Sequence, residues 1–111
     1  MSALDKKVVS ELQELIGDDY LTVFEAFLRT ADQSMKDLTN AIESEDVKTV
    51  EMITHTLKGS SANIGAKQLS RLSELALTDA RKSITDNFAS HLSNIQAEYG
   101  DVSKAIHDLL K

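Results

Sequence analysis

Residue 55 is a histidine, and Thr56, Leu57, Lys58 and Gly59 follow it. With an ordinary pKa of about 6.5, an imidazole is mostly uncharged at neutral pH and one ring nitrogen keeps a free lone pair. It is a nucleophile that needs no activating base. On a helix Lys58 stands one turn further along the same face, where it adds positive charge, and Gly59 lies directly beside the histidine. Glycine inside a helix costs about 1 kcal/mol relative to alanine. The spacing offers one compensation for that loss, namely room for another molecule to reach the ring. The other two histidines, His91 and His107, lie at the edges of an apolar stripe without basic or glycine neighbours of this kind, and are expected to be ordinary. Glu51 and His55, four apart on one face, could be half of a metal site. A di-metal bundle, however, needs several inward carboxylates with Glu-x-x-His pairs, and this pair points outward. No metal is expected.

The outward position of His55 follows from the element that must carry it. Val50, Ile53, Leu57 and Ile64 recur at intervals of three, four and seven, the mark of a helix burying one stripe. At about 100° per residue, His55 lies roughly 200° from Ile53. Its neighbours on the wet face are Glu51, Lys58, Gly59 and Ala62, with Met52 one turn before it. Asp46 is placed to cap this helix, and Gly65 to end it in a left-handed conformation. Ser60 is expected on the core side, its hydroxyl returned to a carbonyl one turn back.

The rest of the chain supplies partners for that stripe. Leu4, Val8, Leu12, Leu15 and Ile16 predict a short first helix closed by Gly17, after which Asp18 or Asp19 can cap the next. Tyr20, Phe24, Phe27, Leu28, Ala31, Met35, Leu38, Ala41 and Ile42 keep helical spacing for some six turns. A polar corner at Ser44-Glu45-Asp46 follows. Leu69, Leu72, Ala76 and Ala80 mark the fourth helix, ending near Arg81-Lys82 where basic residues complement its dipole. After a corner at Ser83-Ile84-Thr85-Asp86, the run Phe88, Leu92, Ile95, Tyr99, Val102, Ile106 and Leu109 alternates four and three, as a bundle seam does. Its phase is kept across Gly100, so one helix is expected there; a break near Gly100-Asp101 is the alternative. Four long amphipathic segments with short corners make an all-α, antiparallel up-and-down four-helix bundle, with the short additional N-terminal helix covering one end.

Composition narrows the function. At 111 residues the chain is expected to be a single domain spanning 1–111. Its formal charge of −6 disfavours nucleic acid and anionic membrane as partners. No signal peptide or membrane span is predicted, and without cysteine there is no disulfide framework and no thiolate site. A cytoplasmic location is expected. The intact Met1 leans toward a free protein, and no glycine-rich nucleotide loop or Walker-type lysine is present.

His55-Thr56-Leu57-Lys58-Gly59-Ser60-Ser61-Ala62-Asn63-Ile64-Gly65-Ala66 resembles the phosphoacceptor motif of histidine-containing phosphotransfer (HPt) domains of multistep two-component relays. The match runs His, any residue, an apolar residue, Lys, Gly, two small residues, then an apolar-Gly pair. The resemblance implies a phosphorelay intermediate. Such a protein accepts a phosphoryl group on His55 from the aspartyl phosphate of a receiver domain in a hybrid sensor histidine kinase, and passes it to the aspartate of a response regulator. Phosphoryl transfer has a loose transition state with charge on three equatorial oxygens, so the chain has to position the imidazole and supply positive charge. Lys58 would be the phosphate-stabilising cation. Relatives also carry a basic residue about one helix further on, and Arg81 falls at that spacing. Gly59, with Met52 and Ala62, would form the docking surface. No cofactor is implied, the magnesium ion belonging to the receiver, and a monomeric carrier without ATP-dependent kinase activity is expected.

One position departs from the family pattern. Many relatives have a glutamine or glutamate on the fourth helix that hydrogen-bonds the imidazole or its phosphate; here Leu77 stands there, and Thr78 or water is the available substitute. A different class, a helical adaptor that binds a receiver or kinase without being phosphorylated, would need the same bundle but not His55. A dimerising kinase helix is disfavoured, because Thr56 stands where those helices usually place an acidic residue followed by proline.

Overall fold

The computed structural model describes residues 3–111. Among these described residues five α-helices follow one another: α1 (Lys6–Ile16), α2 (Tyr20–Glu43), α3 (Val47–Asn63), α4 (Lys67–Arg81) and α5 (Phe88–Leu110), with a 3₁₀ turn at Gly17–Asp19 between the first two. The long helices pack in sequence, and α5 returns against α2 to close the bundle. Among the described residues there is no strand. Phe24, Leu38, Leu57, Leu69, Ile95 and Ile106 are among the fully buried side chains at the centre. The α5 seam runs through Phe88, Ile95, Tyr99, Val102 and Ile106 without interruption, and Gly100 faces solvent inside an unbroken helix. Tyr99 ties this seam to α2 by donating its phenol to the Asp32 carboxylate. Burial, and then that acceptor, push the phenol well above its ordinary range.

Two expectations about local structure are corrected. Neither Asp18 nor Asp19 caps α2 with its side chain. The 3₁₀ turn runs straight into the helix, and the Tyr20 amide donates to the Gly17 and Asp18 carbonyls of the turn instead of to a carboxylate. Within α3 the buried stripe is Val50, Thr54, Leu57 and Ser61, while Ile53 and Ser60 are only half-buried. Thr54 tolerates full burial because its hydroxyl donates to the Val50 carbonyl at 2.7 Å. Ser60 does return its hydroxyl to a carbonyl one turn back, that of Leu57 at 3.3 Å, but from the side of the seam.

The turn after α3 also anchors the N-terminus. Gly65 has φ 82°, and a Cβ there would lie 2.9 Å from the Cβ of Val8 on α1. Only glycine accommodates both the left-handed backbone and that approach. The Asp5 amide donates to the Gly65 carbonyl at 2.8 Å, and the Asp5 side chain caps α1 through the Lys7 amide while pairing with Lys67 at 2.5 Å.

Candidate functional site

The helix that carries His55 begins at Asp46, whose carboxylate accepts from the Thr49 amide at 3.2 Å and the Thr49 hydroxyl at 2.6 Å. The hydroxyl contact, then the amide, hold this carboxyl below the usual aspartate range. Two turns on, His55 projects from the exposed face of α3. Neither of its ring nitrogens is hydrogen-bonded to another described residue, so the lone pair needed for attack is open to a visitor. The ring sits in an open depression of about 410 Å³ lined by Lys48, Glu51, Met52, His55, Thr56 and Arg81. Arg81 is the last residue of α4, so the antiparallel pairing of α3 with α4 brings that guanidinium beside the histidine.

Lys58 is held from α4 at two points. The Ser70 hydroxyl donates to its backbone carbonyl at 2.8 Å, and its ammonium pairs with the Glu74 carboxylate one turn further along. The Glu74 carboxyl lies below the ordinary glutamate range, chiefly through the hydrogen bond from Lys58; the charges of Lys58, Arg81 and His55 add to this, and burial opposes it. Gly59 is exposed, and a Cβ built on it would meet nothing within 4 Å. Ala62 and Met52 extend the same open surface, Met52 with 64% of its area exposed. Leu77 is fully buried in the core and is no substitute for a polar partner of the ring. Thr78 does not replace it either, since its hydroxyl donates to the Glu74 carbonyl at 2.9 Å.

The structure thus brings His55, Lys58, Gly59 and Arg81 to one side of the α3–α4 pair, and adds two residues that the sequence did not single out. Lys48 was visible in principle, seven positions before His55 and hence on the same helical face. Glu74 was not, because its pairing with Lys58 depends on the register of two helices. Among the described residues no group of three or more His, Cys, Asp or Glu side chains is disposed to hold a metal ion. An exposed nucleophilic imidazole with cations on either side and a helix surface cleared by glycine can take up an anionic, transferable group.

Residues 22–109 match the Hpt domain family. The chain belongs to that family. Hpt domains carry out histidine phosphotransfer in phosphorelays; they act as phosphocarriers whose partners are receiver domains of kinases and response regulators. The Hpt bundle seen here is similar to the crystal structure of histidine-containing phosphotransfer protein B (HptB) from Pseudomonas aeruginosa PAO1, with a TM-score of 0.92 and 23% identity over 96% of this chain and 92% of that one. A search of curated proteins gave no match. Among the described residues, no helix is long and apolar enough to cross a membrane.

Proposed function

We propose that His55 is the phosphoacceptor and that the chain works as a single, monomeric Hpt domain between two receivers. The observation that carries this reading is the open imidazole of His55, free of hydrogen bonds to described residues, in a depression that it shares with Lys48 and Arg81. Its unprotonated ring nitrogen attacks the phosphorus of an aspartyl phosphate on the receiver of a hybrid sensor kinase. The N–P bond forms, the P–O bond to the aspartate breaks, and the electron pair leaves with the carboxylate. The other ring nitrogen keeps its proton, so no base is required. The reverse exchange with the aspartate of a response regulator completes the relay.

Lys58 and Arg81 offset the charge that spreads over the phosphoryl oxygens in the loose transition state. Gly59, Met52 and Ala62 form the surface on which the receiver lands, and the receiver contributes the magnesium ion. The reaction is expected in the cytoplasm and without direct use of ATP. Incubation with a phosphorylated receiver should place acid-labile, base-stable phosphate on His55, located by mass spectrometry of the intact phosphopeptide. Label on another residue, or labelling by ATP alone, would overturn the assignment. An adaptor that only binds receivers would take up no label.

A further inference from the structure

Glu74 is the unexplained member of the site. It is an anion placed where an incoming phosphoryl group needs cations, and it occupies the very ammonium that would stabilise that group. The oxygen that meets Lys58 is out of contact with solvent. Ser70, one turn earlier on α4, fixes the backbone of Lys58 at the same time. Arg81 and His55 are close enough for their charges to act on the same carboxylate.

We infer that Glu74 is a positioning residue that keeps Lys58 beside His55 in the empty state and, as a fixed negative charge, limits how tightly phosphoryl is held on the histidine. The inference rests on His55 being the phosphoacceptor. When the phosphoryl group arrives, Lys58 is shared between it and Glu74, and the carboxylate repels the new oxygens. When the group departs to the next aspartate, Lys58 returns wholly to Glu74. The ion pair therefore favours release, which a relay intermediate needs as much as capture. Two like-charged groups several ångströms apart at a solvated surface interact weakly but measurably.

The test is the equilibrium of phosphoryl exchange with one purified receiver, together with the single-turnover rates in both directions. Glu74→Gln removes the charge and keeps the shape. It should shift the exchange constant toward phosphohistidine by about three- to tenfold, an effect sized for water-screened charges. Glu74→Asp, which keeps the charge, should stay near the parent constant even where its shorter reach slows both directions. A purely structural role predicts something else, namely equal slowing in both directions with an unchanged constant, and that result in Glu74→Gln overturns the inference. So does an equal shift in Glu74→Asp and Glu74→Gln. If the parent protein takes up no phosphoryl group on His55, the site assignment falls and this inference with it; if the parent does and Glu74→Gln matches it, only the role of Glu74 falls.

Discussion

Two histidines of this chain lie on the same bundle and have opposite surroundings. His55 is exposed, has no hydrogen bond to a described residue and faces Lys48 and Arg81 across an open depression. His91, near the start of α5, is half-buried with its Nε2 atom 2.7 Å from the Asp79 carboxylate of α4, and Asn87 donates to the same oxygen at 3.3 Å. A ring nitrogen committed to a carboxylate joins two helices but is not available for attack. Around the other ring the two cations Lys48 and Arg81 outweigh the one carboxylate of Glu51 and favour an incoming anion, whereas the acid bonded to His91 would repel one. If His55 is the phosphoacceptor proposed above, the difference between a reagent and a rivet lies in the neighbours, since the side chain is the same.

Exchanging the two roles is the most direct way to break this contrast. His55→Gln should abolish phosphoryl acceptance while leaving helicity and melting as in the parent, whereas His91→Gln should still accept at the parent rate and melt earlier. Uptake by the first variant, measured with a phosphorylated receiver, would refute the contrast. Gly59→Gln comes next in size. Its side chain would stand in the clearance beside His55, so single-turnover transfer should drop steeply in a protein that remains folded. Lys58→Ala should slow transfer by roughly ten- to hundredfold, the loss of one charge-assisted contact in the transition state. Receiver binding, followed by titration calorimetry, should change less than the rate does.

The smaller effects concern stability. The Asp79 carboxyl is held below the ordinary aspartate value of 3.8, mainly by its hydrogen bond with His91 and then by that with Asn87. A carboxyl lowered on folding contributes stability that is present above its unfolded pKa and is lost as pH falls through the folded one. Acid melts of His91→Gln should therefore show a shallower loss of stability below about pH 4 than the parent, while His55→Gln keeps most of the parent slope. Parallel acid profiles for His91→Gln and the parent would show that the His91–Asp79 contact contributes nothing to folding. Gly59→Ala should stabilise the bundle by about 0.5–1 kcal/mol, because the new Cβ enters open space on an ordinary helical backbone. At Gly65 the same change should destabilise, since its Cβ would collide with Val8 at a positive φ.

The helices, their order and the outward face of His55 were legible because apolar spacing reports directly on which side of a helix is dry. Ile53 does pack against the core, but only partly buried, and Ser60 lies beside the seam instead of in it. Thr54 and Ser61 occupy the seam although they are polar, Thr54 satisfying its hydroxyl within its own helix, and a count of apolar residues passes over them. The cap expected at Asp18 or Asp19 was supplanted by a turn whose backbone does the same work. What local pattern could not give is any partnership across helices. Lys58 with Glu74, Ser70 with Lys58 and His91 with Asp79 all depend on how far one helix slides along the next, a distance set by side chains throughout the interface. The identity of residue 77 pointed to a missing polar partner, yet not to the acid one turn earlier that engages the neighbouring lysine.

The tether between Asp5 and Gly65 bears on how the molecule opens. No residue of α1 is fully buried, and at its far end Leu15 and Ile16 face solvent. Its polar attachments gather at Asp5, where the Gly65 carbonyl, Lys67 and the helix cap meet, while Val9 and Leu12 rest partly buried on the core. A helix with so little fully buried surface is expected to open before the four-helix body does. Backbone amide hydrogens from Glu11 to Ile16 should accordingly exchange with deuterium orders of magnitude sooner than those of Leu57 or Ile95.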